Sequence, residues 1–246
     1  MKYLLTLACM LFVHMPDTHT PQLKQASRLK ARRSAQQTVI CIDPGHPSEV
    51  NDGKTIQNGT SEVHIVWVVA LKLKKLLEAK GYRVVMTKSR EDQLVLNKER
   101  ALIANRADAA LMIRLHCDTG EGGGFTLYHP DGQGTKDDTV GPSAEVIEAS
   151  GRAARAIHAG MAPLLRGFLK DNGVLGDSKT YVGARQGALT GSIYSQVPVV
   201  TIEMVFLSNE SDAEFIKSQE GQEKMARAIA NGAARFVKPA RSSRQR

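Results

Sequence analysis

Residues 39–46 read Val39-Ile40-Cys41-Ile42-Asp43-Pro44-Gly45-His46: four apolar residues, a turn-forming Asp-Pro-Gly, then an imidazole. A short apolar run closed by proline and glycine reads as a buried strand, here over 39–43. The next segment shows what kind of sheet that strand joins. After the Asn58-Gly59-Thr60 turn, Glu62, Val66, Val69, Leu73 and Leu76 fall on one helical stripe. Lys72, Lys74, Lys75 and Glu78 lie mostly off it, and Gly81 supplies the stop. The alternation then continues: strand 83–87, helix about 97–106, strand 110–116, a short strand near 125–129, a long helix about 143–169, strand 197–203 and a closing helix about 222–237. Strands separated by helices require crossover connections. The expectation is an α/β fold: a single domain with a mostly parallel twisted sheet flanked by helices on both faces.

The 246 residues suffice for one such domain with tails. The formal charge of +8 is unevenly placed. Residues 1–38 hold six basic side chains against Asp17, and residues 238–246 hold four more, so the stretch between the tails is close to neutral. Basic ends on a neutral body argue against a nucleic-acid-reading domain and for loose attachment to anionic polymers. Met1-Lys2 precedes an apolar run from Tyr3 to Met15, too short to cross a bilayer but suited to a secretory signal. The organisation expected is an export leader over 1–15, a basic flexible linker over 16–38, a catalytic domain over 39–237 and a basic tail over 238–246. Cys9, after Leu7-Ala8, hints at lipoprotein processing. Cys41 and Cys117 fall in expected buried strands, where cysteine behaves as a small hydrophobe.

Open parallel sheets present their ligands beyond the carboxyl ends of the strands. His46 lies just past the first strand, His116 closes Ala110-Leu111-Met112-Ile113-Arg114-Leu115-His116, and Glu203 closes Val197-Pro198-Val199-Val200-Thr201-Ile202-Glu203. Glu62 opens the first helix, on its apolar stripe. A carboxylate facing the sheet is costly unless paired or bound to a cation, although a helix N-terminus favours one by itself. Two imidazoles and one carboxylate are a sufficient ligand set for a catalytic zinc, with the second carboxylate left as a base. His64 lies two residues from Glu62 and faces elsewhere on a helix; His129 and His158 read as loop and surface residues. Asp43 either orients His46 or forms the turn before Pro44-Gly45. The Gly122-Gly123-Gly124 run precedes a strand rather than a helix, which argues against nucleotide binding.

Several spaced blocks now stand in order. They are Asp43-Pro44-Gly45-His46, Asn58-Gly59-x-x-Glu62, Leu96-x-x-x-Arg100 with Ala104-Asn105, Leu115-His116, Gly123-Gly124 with Tyr128, and Glu203-x-x-Phe206-Leu207-Ser208-Asn209. Over Val39 to Val237 the chain resembles the zinc-dependent N-acetylmuramoyl-L-alanine amidases of the type-3 amidase family. The resemblance implies that His46, Glu62 and His116 bind Zn2+ and that Glu203 is the catalytic acid/base. It implies an exported peptidoglycan hydrolase, acting in the periplasm or extracellular envelope, that cuts between N-acetylmuramic acid and L-alanine. Pro47 stands where the family usually has glycine, Arg114 where it has a small residue, and Cys117-Asp118 where it has Ala-Asn. None removes a ligand, so they bear on how substrate is held. Some relatives carry a helical plug released by an activator; here 129–142 reads as a polar loop, which implies an open cleft. The rival readings are a zinc peptidase or deacetylase using the same four residues, and a non-catalytic wall-binding module.

Overall fold

The computed structural model describes residues 37–240; the expected leader, most of the linker and the end of the basic tail lie outside the described residues. In chain order the strands and helices are β1 (Val39–Pro44), β2 (Ile56–Gln57), β3 (Thr60–Ser61), α1 (Glu62–Ala79), β4 (Arg83–Met86), α2 (Asn97–Arg106), β5 (Leu111–Asp118) and β6 (Phe125–His129). There follow β7 (Gly134–Lys136), β8 (Thr139–Gly141), α3 (Ala144–Leu165), β9 (Asp171–Gly176), α4 (Tyr181–Gln186), α5 (Thr190–Ile193), β10 (Val199–Phe206), α6 (Glu210–Lys217) and α7 (Gln219–Phe236).

Six strands form the central sheet in the order β4-β1-β5-β10-β6-β9. The first four run parallel to one another, β6 pairs antiparallel with β10, and β9 runs parallel to β6. Period-two alternation divides each central strand between two cores. Ile40 and Ile42, Leu111, Ile113 and Leu115, and Val200, Ile202 and Met204 face the larger one, where α1, α3 and α7 cover the sheet. Val39, Cys41, Met112 and Val199 face a smaller core closed by Ala104 of α2 and by Val197. Helices therefore flank both faces, and no helix among the described residues is long and apolar enough to cross a membrane.

Three sequence expectations change. The long helix ends at Leu165, not 169, because Pro163 withholds an N–H from the last turn and Gly167 takes a φ of +81°. Phe168, inside the span expected to be helical, lies beyond the helix, is half exposed and leans on Phe215, with ring centroids 5.9 Å apart. The polar loop of 129–142 contains the two-stranded antiparallel hairpin β7–β8.

Candidate active site

Four side chains reach one end of the sheet from separate elements. His46 follows directly on β1 with a φ of +51°, a left-handed conformation unfavourable for a non-glycine residue. Buried cations hold it there. Arg100, wholly buried in α2, donates from Nη1 to the Pro44 carbonyl and from Nη2 to that of Pro47, both at 2.7 Å. Lys88 Nζ donates to the carbonyls of Gly45 (3.2 Å), His46 and Glu91 (2.9 Å). Nδ1 of His46 lies 3.0 Å from the Asn51 carbonyl. Donation to that carbonyl leaves the Nε2 lone pair free to coordinate.

Glu62 is the first residue of α1, and its carboxylate is turned toward the histidines. Oε2 lies 3.2 Å from His46 Nε2, while Oε1 lies 3.0 Å from His116 Nδ1 and accepts the Cys117 N–H at 3.1 Å. The capping role that its position suggested is therefore not what holds it. His116 stands on β5 opposite Glu203 of β10 in the parallel register. The two imidazoles meet edge to face, centroids 5.1 Å apart. The chain can bring them so close because residue 45 is glycine: a Cβ there would lie 2.7 Å from His116 Nδ1.

The ligand-type atoms of His46, Glu62 and His116 all lie within 4.8 Å of one another, and the three side chains are 12–17% exposed. Glu203 lines a cavity of about 190 Å³ with His46, His116, Arg114 and Thr201. Its Oε2 is buried and has no hydrogen-bond partner.

The two glutamates titrate in opposite directions. Burial alone would raise Glu62, but hydrogen bonds from His116 and His46 outweigh it and hold its carboxyl at about 2. Burial pushes Glu203 well above the carboxylate range, with the charges of Glu62 and Asp118 adding and Arg114 opposing. A largely buried site with two carboxylates, two imidazoles and an orphaned carboxylate oxygen suits a divalent cation, which would relieve the repulsion between the acids. The donor set fits a metal.

Asp43 does not orient His46. It is completely buried and accepts from Thr87 (2.5 Å) and Arg100 (2.6 Å) at Oδ1 and from Arg114 (2.9 Å) at Oδ2. A lone arginine interrupting the apolar run of β5 is a signal that a buried partner exists, but only the register, which sets Asp43 of β1 across from it, says which. Lys88 gave no such signal within its polar surroundings. His64 is exposed and pairs with Glu91, and His158 pairs with Asp171, both away from this site.

Two histidines and two glutamates gathered at the carboxyl ends of a parallel sheet define a class: α/β proteins built around a metal-competent site. The profile of the family described as N-acetylmuramoyl-L-alanine amidase matches residues 40–235, and the chain belongs to that family. It is 25% identical to the N-acetylmuramoyl-L-alanine amidase Rv3717 of Mycobacterium tuberculosis, with 89% of this chain and 93% of that protein covered. It is 28% identical to the amidase LytC of Bacillus subtilis over 92% of this chain and 40% of that one. Among solved structures, the amidase Ami1 of Mycobacterium smegmatis shares the fold with a TM-score of 0.66 at 22% identity, covering 81% of this chain and 96% of that one. The chain is thus a peptidoglycan amidase, hydrolysing the amide that joins N-acetylmuramic acid to L-alanine.

Proposed function

We propose that the amidase works with zinc, held by His46 Nε2, His116 Nδ1 and the Glu62 carboxylate, and that Glu203 is its general base and acid. The observation that carries this reading is the convergence of those three ligand groups within 4.8 Å, beside a cavity walled by both histidines and Glu203. A bound zinc would supply Lewis acidity, polarising the scissile carbonyl and making a water more acidic near neutral pH. The remaining steps belong to the chain. Glu203, as the carboxylate, accepts a proton from the attacking water. As the C–N bond breaks, it returns that proton to the departing nitrogen of L-alanine, leaving a free carboxyl on the lactyl group and an amine on the stem peptide. The Asn51 carbonyl and the Lys88 and Arg100 contacts keep the His46 ring and its loop in place throughout.

The same reading takes the chain to be exported, as its apolar run from Tyr3 to Met15 and a substrate outside the cell membrane both suggest, and active without a dedicated activator. Digestion of purified peptidoglycan, with mass analysis of the products, tests it. Intact stem peptides bearing a free L-alanine amine are expected, with activity lost to a chelator and restored by zinc. Cuts inside the peptide, or release of acetate, would replace the reading with a peptidase or a deacetylase.

A further inference from the structure

Arg114 is a buried charge within the apolar run of β5, and its surroundings give it work that its partners do not exhaust. It stands two residues before His116 on β5, flanked in register by Asp43 of β1 and Thr201 of β10. This row lies two residues back along the strands from the row of His116 and Glu203, on the same face of the sheet. The Arg114 side chain is 5% exposed. Nε donates to Asp43 and Nη2 to Asn97 Oδ1 at 2.7 Å, while Nη1 has no hydrogen-bond partner. Thr201 is buried as well, and its Oγ1 also lacks a partner. Both residues wall the cavity that holds His46, His116 and Glu203.

Two guanidiniums, Arg100 and Arg114, share this region with two buried carboxylates, Asp43 and Asp177. Asp43 is one carboxylate serving two guanidiniums, since its other oxygen is occupied by Arg100 and Thr87. Asp177 is near enough to feel Arg114 but forms no ion pair with it, and its Oδ2 accepts the Leu189 N–H. The space beside Nη1 is kept open by Gly191, where a Cβ would lie 2.7 Å from that nitrogen. A buried cation with a free donor, next to an unpaired hydroxyl on a cavity wall, is a built site for an anion.

The substrate carries its anions on one side only. In the glycan half, the lactyl carboxyl is consumed by the scissile amide and the other groups are hydroxyls and acetamides. In the peptide half, the second residue is joined through its side-chain carboxyl and leaves its main-chain carboxylate free, unless that group is amidated. Two residues along a strand span about 6.6 Å. A carboxylate one residue beyond the scissile nitrogen lies roughly 5–7 Å from it. We infer that Arg114 and Thr201 form a carboxylate subsite for the second residue of the stem peptide, so that this amidase prefers the free acid there over the amide. The inference rests on the amidase reading and names the part of the substrate that the same cleft selects.

The test uses the full chain loaded with zinc and two synthetic muramoyl peptides differing only at that group, carboxylate or carboxamide. The quantity read is the ratio of kcat/KM for acid over amide, which within one preparation does not depend on the fraction folded. Wild type should favour the acid roughly 10- to 100-fold, the range for a hydrogen bond to a charged group. Arg114→Gln removes the charge, and Gly191→Ala fills the space beside Nη1 while leaving the charge in place; in both, the ratio should fall toward one. Arg114→Lys, which keeps the charge but not the planar fork, should recover part of it. Equal hydrolysis of both peptides by wild type would overturn the inference alone, as would a preference that persists in both variants. No hydrolysis of either peptide would overturn the amidase reading and the inference with it.

Discussion

Replacing Asp43 by asparagine keeps the shape of the side chain but removes the carboxylate shared by two buried guanidiniums. Arg100 is completely buried and Arg114 nearly so, and they donate to opposite carboxylate oxygens at 2.6 and 2.9 Å. Breaking a buried pair from one side leaves uncompensated charge, at about 3–5 kcal/mol per broken pair. Arg100 retains the Pro44, Pro47 and Val95 carbonyls and Arg114 retains Asn97, which places the expected loss near the bottom of that range, about 3–4 kcal/mol. For a domain of about 200 residues this corresponds to a fall in Tm of roughly 6–16 °C. Urea titration and thermal melts measure both quantities. The pH dependence adds an independent check. The fields of Arg100 and Arg114, with the Thr87 and Arg100 hydrogen bonds, outweigh burial and hold the Asp43 carboxyl well below its ordinary value. A depressed carboxylate contributes stability that is complete above its unfolded value, near 3.9, and is lost as pH falls through the folded one. Wild type should therefore lose stability progressively below about pH 4, and Asp43→Asn should lose less over the same interval. A variant within about 1 kcal/mol of wild type at pH 7 would refute the view that this carboxylate anchors the loop carrying His46.

Three further outcomes are expected. Glu203→Gln should keep zinc and fold while turnover drops by roughly 10²–10⁴, whereas Glu62→Gln should lose zinc affinity first; metal content measured beside turnover separates the two, and the opposite pattern would reverse their roles. Gly45→Ala introduces a Cβ 2.7 Å from His116 Nδ1 and should weaken zinc binding roughly 10- to 100-fold in a competitive chelator titration, the scale seen when the support of a ligand is disturbed. Removing the linker and residues 239–246 should weaken pelleting with envelope material at low salt only, because exposed charges are screened beyond about 10 Å at 0.1 M; pelleting that is unchanged at low salt would leave the tails without that role.

The elements legible in the sequence are those buried on one side by a regular period. β1, β5 and β10 are mainly apolar runs broken by few polar residues, and α1 carries a clear stripe, so their positions and the parallel core could be read before any coordinates. The elements that escaped lack that signal. Asp171–Gly176 forms β9 at the sheet edge with no buried residue and two glycines, so nothing in its composition marks a strand. Glu210–Lys217 forms α6 with only one aliphatic anchor, Ile216, beyond alanine. The reversed direction of β6 leaves no trace in its own residues, since period-two alternation is identical for parallel and antiparallel strands; the signal is the short link from β5 at Asp118 to β6 at Phe125, too short for a parallel crossover. Pairing is likewise a property of three dimensions. The meeting of Asp43 with Arg100 and Arg114, across 57 and 71 residues, depends on the order β1-β5 in the sheet, which the sequence does not print.

The opposed behaviour of the two glutamates follows from what their backbones leave within reach. Glu62 begins a helix, where one oxygen finds the Cys117 N–H and His116 and the other lies 3.2 Å from His46, so polar neighbours on both sides stabilise its charge. Glu203 lies within β10, between β5 and β6, where the neighbouring N–H groups are committed to the ladder, and one of its oxygens finds none among the described residues. Environment thus separates two identical side chains into a firm anion and an acid that readily takes up a proton, the separation on which acid–base chemistry with paired carboxylates depends. Exchanging the two residues' donor sets would exchange their chemistry. For that reason the division of labour lies in the sheet order and the helix start that surround each glutamate, and substitutions at Cys117 or Gly45, neither of which carries a proton in the reaction, should still be felt in it.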